Sequence, residues 1–450
     1  MDTMTAPTPV EVSSEAQTSA LAGLLGKIGR REARVGVIGL GYVGLPLAVD
    51  LAHVGFSVTG FDLDRARIDR ANSGISYIAD VDDQTLRQQI ESSRFHATDD
   101  FAELSDLDTV SICVPTPLSK TKEPDLSYII QAVQAVADHL HRGQLIVLES
   151  TTYPGTTEEI ALPMLERSSL TVGKDFFLAF SPERVDPGNA SYQTGNTPKV
   201  VGGITRNCCS AATSLYTLCT GRVVKVSSAR AAEMVKLLEN TFRNVNIGLA
   251  NEMALLCHKF DLDIWEVIEA ASSKPFGFMP FYPGPGLGGH CIPIDPVYLT
   301  WKARANGFEP RLIEVAQQIN NRMPHHVVDR ISVALNENGK PLRGSRVHIL
   351  GVAYKRDVAD VRESPALDIM HLLTERKAQI SYSDPFVPRL AEPGFDLVSE
   401  PLELVRKKDC VVIVADHSGF DYPAIVRDSP LIVDARNALA EFKSEKIYRL

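Results

Sequence analysis

The sequence predicts an α/β protein in which two doubly wound domains are joined by a long central helical segment. Near its start, a β-branched run over 34–40 precedes a helical segment over 45–54 and a second strand over 56–61. A further strand over 347–350 opens a second β–α succession near the last quarter of the chain. Such alternation is typical of a parallel sheet covered by helices, so both domains are predicted to be Rossmann-like.

Short apolar runs account for the remaining predicted strands, and helical patterns lie between some of them. In the first domain these strands are 109–114, 145–148, 177–180 and 199–201, and in the second they are 380–382, 410–414 and 431–433. Helices are predicted over 21–34, before the first strand, and over 127–141. The recurring strand–helix order favours parallel pairing.

Residues 229–271 carry apolar side chains at three- and four-residue steps, which predicts a long helix. The apolar positions are Met234, Leu237, Leu238, Phe242, Val245, Leu249, Met253 and Leu256. Because the run exceeds ordinary helix length, it is interpreted as an interdomain connector that is also able to bury a dimer seam. An ordered loop dense in Gly and Pro is predicted over 276–296, and helices resume from there to about 336.

Composition and charge narrow the class of protein. The chain has 450 residues, 44% of them apolar and 23% charged, with a net charge of -10. These values indicate a soluble globular protein of two or three domains. Without a long basic block or a bilayer-spanning apolar run, neither a nucleic acid nor a membrane is expected as a partner. An anionic substrate must then be held by a few local cations.

Cysteine usage and pattern changes suggest the compartment and the domain boundaries. The seven cysteines form no CxxC pair, which predicts free thiols in a reducing cytoplasm, and no metal site is expected. The predicted segments are a partly disordered leader over 1–33 without signal-peptide character, a dinucleotide-binding Rossmann domain over 34–225, a central helical connector and dimerisation domain with a cysteine loop over 226–330, and a second Rossmann-like domain over 331–450.

A glycine fingerprint, Gly39-Leu40-Gly41-Tyr42-Val43-Gly44, follows the first strand and opens a helix. Its glycines suit a tight turn, close approach of a pyrophosphate and close helix–sheet packing. Asp62, at the end of the next strand, suits a ribose 2′-hydroxyl and favours NAD over NADP. Arg67 is able to pair with a 2′-phosphate but is interpreted as flanking adenine. The alternative is a glycine turn in a degenerate domain that binds no nucleotide.

Cys291 lies in the run Gly288-Gly289-His290-Cys291-Ile292-Pro293-Ile294-Asp295. A glycine-flanked thiol suits covalent capture of a carbonyl, and a nicotinamide site suits hydride removal. Together they suggest an alcohol oxidised through an aldehyde to an acid. Asp295 would polarise water or hold Lys236, and His290 is as readily structural as chemical. The alternative for the cysteine is a small buried hydrophobe.

Polar side chains on the central helix and after two strands complete the candidate site. Glu233, Lys236, Asn240 and Asn244 share one helix face. Lys236 and Asn240, one turn apart, suit a developing oxyanion, although a solvated polar face is the alternative. Glu183 in Ser181-Pro182-Glu183-Arg184 would act as a base for water, which Thr116 in Val114-Pro115-Thr116-Pro117 would position. Taken singly, each of these two is more often a turn residue.

These motifs resemble those of the UDP-glucose/GDP-mannose dehydrogenase family over 34–450. The anchors are 39–46, 114–117, Glu149-Ser150-Thr151, 181–184, Lys236 with Asn240, 288–295, and Lys355 with Arg362-Glu363-Ser364. The resemblance implies four-electron oxidation of a nucleoside-diphosphate hexose at C6, with two NAD reduced per turnover. It implies that Cys291 passes through a thiohemiacetal and a thioester. Its further implied catalytic residues are Lys236 and Asn240 for the oxyanion, Asp295 and Thr116 for water, and Glu183 for proton transfer and hydrolysis.

The resemblance also implies two sets of binding residues. Cofactor contacts would come from Gly39, Gly41, Tyr42, Val43, Gly44, Asp62, Arg67, Pro115, Thr116, Ser150 and Thr151. Substrate contacts would come from Glu183, Arg184, Lys236, Asn240, Tyr282, Gly288, Lys355, Arg362 and Arg436, with the UDP moiety on the C-terminal domain. A homodimer or higher homo-oligomer with the central helices at its seam is expected.

The loop sequences favour one branch of that family. The forms of 181–189 and 282–290 are more similar to UDP-N-acetylhexosamine 6-dehydrogenases. The UDP-glucose branch tends to carry Ser, Lys and Glu where this chain has His290, Ile294 and Pro187. UDP-N-acetylglucosamine is therefore the expected substrate, and UDP-glucose or dTDP-glucose is the alternative. Other hypotheses are a two-electron dehydrogenase or epimerase-like enzyme that does not use Cys291, and a catalytically silent nucleotide-sugar binding protein.

Overall fold

The computed structural model describes residues 19–78, 80–119, 121–184 and 195–450. Most of the predicted leader and Pro187 lie outside these ranges. The chain divides into an N-terminal unit, Met1–Thr116 with Asp125–Lys236, and a C-terminal unit, Pro117–Pro124 with Leu237–Leu450. The four-segment division expected from the sequence stays a prediction.

The N-terminal unit is built on an eight-stranded sheet. Its strands are β1 (Arg34–Ile38), β2 (Ser57–Phe61), β3 (Phe95–Thr98), β4 (Thr109–Ile112), β5 (Leu145–Leu148), β6 (Phe177–Phe180), β7 (Lys199–Gly203) and β8 (Val223–Lys225). Their order is β3-β2-β1-β4-β5-β6-β7-β8. The first six are parallel, as predicted, but β7 is antiparallel to β6. Antiparallel neighbours can be joined without a crossover helix. The direction of β7 could therefore not be predicted from the alternation of strands and helices.

Helices cover this sheet and begin at recognisable caps. They are α1 (Ser19–Arg30), α2 (Gly44–His53), α3 (Arg65–Asn72), α4 (Asp83–Glu91), α5 (Ser127–Asp138), α6 (Leu162–Leu165) and α7 (Arg206–Cys219). Asp64, Asp82 and Thr205 each accept a hydrogen bond from the first turn of α3, α4 and α7. The apolar face of α1 joins the main core, which confirms a helix before the first strand.

The central segment consists of four helices, namely α8 (Ala229–Lys259), α9 (Ile264–Ser272), α10 (Asp295–Ala305) and α11 (Arg311–Glu337). The single helix predicted over 229–271 is wrong beyond Lys259. Asp261 has a φ of 56°, in the left-handed region, and ends the run. Asp263 then caps α9 by accepting from the backbone N–H of Trp265 at 2.8 Å. A local turn therefore overrides a continuous apolar pattern.

Burial on α8 is the reverse of what an amphipathic helix usually shows. The polar positions Asn240 and Asn244 are buried, whereas Leu238 is 60% exposed, Phe242 47% and Leu249 56%. The alternative of a solvated polar face is therefore wrong. Most buried polar groups in proteins have hydrogen-bond partners, so this face indicates a polar site enclosed by the fold.

The C-terminal part of the second unit holds a five-stranded parallel sheet. The strands after α11 are β9 (Arg346–Leu350), β10 (Gln379–Ser383), β11 (Arg389–Glu392), β12 (Phe395–Val398), β13 (Cys410–Ile413), β14 (Ile432–Asp434) and β15 (Ile447–Arg449), with helices α12 (Pro365–Glu375) and α13 (Tyr422–Asp428). The sheet order is β10-β9-β13-β14-β15, and β11 and β12 form a separate hairpin. Within the described ranges, no helix combines the length and apolar character needed to cross a membrane.

Candidate active site

The glycine loop of the N-terminal unit fits a dinucleotide. Gly39 has a φ of +92°, and a Cβ there would lie 2.6 Å from the carbonyl oxygen of Cys113. A Cβ on Gly44 would lie 1.8 Å from the carbonyl oxygen of Gly39, so only glycine lets α2 start so close to the strand end. Around Gly41, no atom of the described residues lies within 4 Å of such a Cβ. In glycine loops of this kind a pyrophosphate approaches the backbone, and the open side at Gly41 suits such an approach.

Asp62 lies beside this loop at the end of β2. Its Oδ2 accepts from the backbone N–H of Leu40 and its Oδ1 from that of Asp64, both at 2.9 Å. The guanidinium of Arg67 lies 3.5 Å from the carboxylates of both Asp62 and Asp64. Two carboxylates flank this cation, which leaves it less attractive to a 2′-phosphate than an isolated arginine.

The carboxyl ends of β4 and β5 contribute the other predicted cofactor residues. Ser150 is buried, and its hydroxyl donates to the carbonyl oxygen of Ile112 at 3.2 Å. Thr151 and Thr116 are half-buried, while Pro115 and Tyr42 are exposed. Since parallel strands end at the same edge of a sheet, these residues lie along the edge that carries the glycine loop.

Glu183 follows β6, and both its carbonyl oxygen and its carboxylate accept hydrogen bonds. The Lys236 Nζ donates to the Glu183 carbonyl oxygen at 2.6 Å. The carboxylate accepts from the backbone N–H of Arg184 at 2.7 Å and from Lys199 Nζ at 3.2 Å. Arg184 itself donates to the carbonyl oxygen of Pro198 at 2.8 Å. The start of α8 is thus tied to the segment that carries the predicted base.

Glu233 has a structural role. Its buried carboxylate accepts from the backbone N–H groups of Gly155 and Thr157 at 2.5 and 2.9 Å, and from the Thr157 hydroxyl at 2.6 Å. Burial raises the pKa of Glu233 to about 7, although the hydrogen bonds from Thr157 and Gly155 oppose that rise. It closes the N-terminal end of the helical segment after β5, as a capping carboxylate does.

Cys291 lies in the C-terminal unit, half-buried in the turn immediately before α10. Its carbonyl oxygen accepts from the backbone N–H groups of Ile294 and Asp295 at 3.2 and 2.8 Å, which closes the turn. The Asn244 amide donates to the carbonyl oxygen of Ile292 at 3.1 Å. The thiol is therefore carried by a segment that α8 holds in place, and not by an apolar core.

Asn240 and Asp295 form a buried pair next to this turn. The Asn240 Nδ2 donates to the Asp295 carboxylate at 2.5 Å, and the two side chains are 7% and 1% exposed as residues. Lys236, one turn earlier, donates to Glu183 instead. The Lys236 ammonium and the Asn240 amide thus have different hydrogen-bond acceptors in this structure. That the two groups converge on one substrate oxygen stays a prediction.

The two glycines before the cysteine lie flat against the loop that follows β9. A Cβ on Gly288 would lie 2.6 Å from the Cβ of Tyr354, and one on Gly289 would lie 2.9 Å from its ring. Gly289 has a φ of +79°, and its N–H donates to the carbonyl oxygen of Arg362 at 3.1 Å. Both glycines are needed because this contact leaves no space for side chains.

Three of the predicted substrate cations, Lys355, Arg362 and Arg436, lie in the C-terminal unit. Lys355 is half-buried in the loop after β9, and the exposed Arg362 pairs with Asp360. Arg436 donates through Nε to the carbonyl oxygen of Val414 at 2.8 Å, and its guanidinium lies 2.9 Å from a Cβ placed on Gly284. Tyr282 is exposed and stacks on Trp265, with ring centroids 5.8 Å apart. Three cations are thus carried by the unit that carries the thiol.

Sequence reasoning missed a chain of buried asparagines that fixes the Gly/Pro loop. The Asn251 Nδ2 donates to Asn320 at 2.9 Å, and its Oδ1 accepts from the backbone N–H of Gly284 at 2.9 Å. Asn320 in turn donates to the carbonyl oxygen of Asn244 at 3.0 Å. The signal was the continuation of the polar face from Asn240 and Asn244 to Asn251 at helical spacing. Lys199, beside Glu183, was also missed.

Family models match most of the chain in three consecutive parts. The UDP-glucose/GDP-mannose dehydrogenase family NAD binding domain matches residues 33–220, its central domain matches 230–322, and its UDP binding domain matches 348–441. The glycine loop, the cysteine turn and the three cations lie in these parts in that order. The order of the three family domains along the chain is therefore the order of these three features.

Individual relatives extend over nearly the same length. The chain is 36% identical to a UDP-N-acetyl-D-mannosamine dehydrogenase of Pyrococcus horikoshii over 91% of its length and 96% of the relative's. It is 35% identical to a UDP-N-acetyl-D-glucosamine 6-dehydrogenase of Pseudomonas aeruginosa over 87% and 92%. A solved UDP-D-ManNAc dehydrogenase from Pyrococcus horikoshii superposes with a TM-score of 0.85 at 34% identity, covering 92% of this chain and 98% of that one. The chain belongs to the UDP-glucose/GDP-mannose dehydrogenase family and is an NAD-dependent oxidoreductase acting on a CH–OH group.

Proposed function

We propose that the protein oxidises C6 of a UDP-N-acetylhexosamine, with UDP-N-acetylglucosamine as the favoured substrate, to a carboxylate. The observation that carries this proposal is the contact between the Cys291 turn and the loop that follows β9. Its glycines lie on the loop that bears Lys355 and Arg362. A sugar nucleotide held by those cations through its diphosphate would be presented to the thiol by the same unit.

The chemistry assigned to the chain balances as two oxidations and one hydrolysis. NAD, when bound, supplies the hydride acceptor for both oxidations. Between them, the Cys291 sulfur forms a bond to C6 of the aldehyde and gives a thiohemiacetal, whose oxidation gives a thioester. Water then cleaves the C–S bond, which releases the carboxylate and restores the thiol. The sum is four electrons removed and two NAD reduced per acid.

The polar side chains support this sequence of steps. Lys236 and Asn240 are one helical turn apart and would donate to the oxyanion of each tetrahedral species. Asp295, held by Asn240, would orient water together with Thr116. Glu183 would take the proton from the alcohol and later from water.

The surroundings of Asp62 favour NAD over NADP. A carboxylate at the end of β2 accepts from a ribose 2′-hydroxyl and repels a 2′-phosphate. Arg67, the nearest cation, is already paired with Asp62 and Asp64. The cofactor form is tested by comparing rates with NAD and NADP.

The identity of the sugar rests on two kinds of observation. The loops around Glu183 and His290 resemble those of the N-acetylhexosamine branch, and the two relatives above are named for N-acetylated UDP-sugars. UDP-glucose and dTDP-glucose are the alternative substrates.

We also propose a homodimer or higher homo-oligomer in the cytoplasm. The exposed apolar stripe of α8, with Leu238, Phe242 and Leu249, supports a second copy as its cover. All seven cysteines are free thiols, which supports a reducing compartment. Analytical ultracentrifugation of the wild type and of Leu249→Glu tests the oligomer, because a charge on the stripe should shift it to monomer.

The function is tested by following NADH with purified protein, NAD and a panel of UDP-N-acetylglucosamine, UDP-N-acetylmannosamine, UDP-glucose and dTDP-glucose. We expect two NADH per acid formed, without released aldehyde. In Cys291→Ser, acid formation should fall by about 10³-fold or more, because the hydroxyl is the weaker nucleophile. One NADH per turnover with free aldehyde would overturn the covalent route, and activity with glucose nucleotides alone would overturn the choice of sugar.

A further inference from the structure

A buried ionic network lies beside Glu183 in the N-terminal unit. The Lys199 ammonium is only 4% exposed and donates to two carboxylates, those of Glu149 and Glu183. Glu149 is 1% exposed and follows β5 directly. A lysine buried this deeply is rare unless it is paired, and here it is paired twice.

Glu149 has a second donor on its other side. The Tyr216 hydroxyl donates to its carboxylate, and the Tyr216 oxygen lies 3.2 Å from the Ser111 hydroxyl. Since the one Tyr216 proton is used on Glu149, Ser111 must be the donor of the second bond. The Lys199 ammonium also lies 5.0 Å from the centre of the Tyr216 ring. Glu149 is thus satisfied without Glu183.

The reversed direction of β7 places Lys199 at this edge. Phe180 pairs with Gly202 in the antiparallel register of β6 and β7. Continued by three residues on each strand, that register sets Glu183 opposite Lys199. A parallel β7 would begin at the other edge of the sheet and would carry Lys199 away from the ends of β5 and β6.

The network carries one positive and two negative groups, and two further titratable groups, Asp50 on α2 and the buried thiol of Cys113 after β4, interact electrostatically with Glu183 and Lys199. Burial opposes the charge of Lys199, but the carboxylates of Glu149 and Glu183 outweigh it and raise its pKa above the ordinary value. The ammonium therefore persists through the neutral range. Charge balance for Glu149 alone requires only one contact of the Lys199 ammonium, whereas the structure shows a second contact with Glu183.

We infer that Lys199 is a positioning residue for Glu183. It holds one carboxylate oxygen at 3.2 Å while the Arg184 N–H holds the other, so that Glu183 stays ionised and aimed as the base. An ammonium beside a carboxylate favours its charged form. The inference rests on the proposed function, because it assigns Lys199 a role only through Glu183.

The test compares two variants of the full-length enzyme that differ only at Lys199. Glu149→Gln keeps the ammonium beside Glu183, whereas the double variant Lys199→Met with Glu149→Gln removes it without leaving the charge of Glu149 unpaired, so that Glu183 is the carboxylate that loses its cation. The readout is the acid limb of kcat/KM against pH, with NAD and the UDP-sugar that the wild type oxidises best. That limb reports the base of the free enzyme.

We expect the acid limb of the double variant to lie about 1–3 pH units above that of Glu149→Gln, as loss of an adjacent opposite charge predicts. Lys199→Arg should keep the limb near that of the wild type. If the double variant does not fold, Lys199→Gln with Glu149→Gln, whose amides keep hydrogen bonds in the pocket, carries the same comparison.

Coinciding acid limbs in the two variants would overturn the inference, since a purely structural lysine changes stability and not the ionisation of Glu183. Tyr216→Phe serves as the control for the rest of the network. It should lower the melting temperature and leave the acid limb in place. A wild type that forms no NADH with any UDP-sugar would instead overturn the proposed function.

Discussion

The two Rossmann-like sheets are alike at the edge where their strands begin. In the N-terminal unit, Asp108 accepts from the backbone N–H of Arg34 at 2.9 Å, just before β4. In the C-terminal unit, Asp409 accepts from the backbone N–H of Arg346 at 2.8 Å, just before β13. Each carboxylate also pairs with a lysine ammonium. In both sheets, an aspartate at the start of one strand therefore binds the first backbone N–H of the neighbouring first strand.

At the opposite edge the sheets differ, although an aspartate again ends the second strand in both. Asp62 accepts from a glycine-loop N–H and from its own turn. Asp384, after β10, accepts from the N–H groups of Val352 and Ala353 and from His417 at 3.0 Å, with further backbone donors from its turn. Because protein donors surround the Asp384 carboxylate, its role is to hold the loop that follows β9. The Asp62 carboxylate has fewer protein donors and suits a ribose hydroxyl.

The segments that follow the first strands explain this difference. In the N-terminal unit, α2 begins at Gly44, directly after the glycine turn, so that the N–H groups of its first turn suit a pyrophosphate. In the C-terminal unit, Gly351 opens a long loop, and α12 begins only at Pro365. That loop carries Lys355 and Arg362 and supports the cysteine turn. The end of the first strand thus leads to a glycine turn and a helix in one unit, and to a long loop with cations in the other.

The largest expected effect is that of Asp384→Asn. Burial would raise the pKa of Asp384, but His417 and the backbone donors hold it below its ordinary value. Removing the charge leaves His417 and these donors poorly matched, which should cost about 3–5 kcal/mol of unfolding free energy. Urea denaturation of the wild type and of Asp384→Asn measures this loss of unfolding free energy.

Asp62→Asn is the matched control, because it changes the corresponding position of the other sheet. It should lower stability by about 1 kcal/mol and narrow the preference for NAD over NADP. If the two variants lost equal stability, or if Asp384→Asn altered the cofactor preference, the distinction between the two aspartates would be wrong.

A smaller effect is expected in the glycine loop. Gly44→Ala places a methyl 1.8 Å from a backbone oxygen and should destabilise the N-terminal unit by about 3 kcal/mol and weaken NAD binding. Gly41→Ala meets no described atom within 4 Å and should weaken NAD binding at nearly wild-type stability. Calorimetric NAD titration and thermal denaturation measure both properties, and equal melting temperatures for the two variants would contradict this reading.

The smallest effect concerns the edge that the sheets share. Asp409→Asn and Asp108→Asn should each cost about 1–2 kcal/mol without changing NAD affinity. Hydrogen bonds from Arg346 hold the pKa of Asp409 below its ordinary value. Its contribution is therefore present above the unfolded-state pKa and is lost as pH falls below about 4. Urea denaturation at pH 7 and pH 3 checks this, because the difference between wild type and Asp409→Asn should shrink at the lower pH.

Local patterns were sufficient for much of the fold. Strands β5 and β6 and the glycine turn were predicted at or near their observed bounds, since short apolar runs and glycines act through neighbouring residues. The break after Lys259 was missed because Asp261 and Asp263 act through backbone geometry that an apolar period does not register. The family was recognised by its motifs, but the hydrogen-bond partners of Asn240 and Glu183 were not predicted.

The sequence by itself determined the α/β class, the glycine loop and the family, because short-range chemistry and motif spacing are written along the chain. Only the tertiary structure decided that β7 runs backwards, that the polar face of α8 is buried, and that Lys199 meets Glu183. These outcomes depend on residues far apart in the chain, whose pairing is settled by which buried charges and amides find each other during packing.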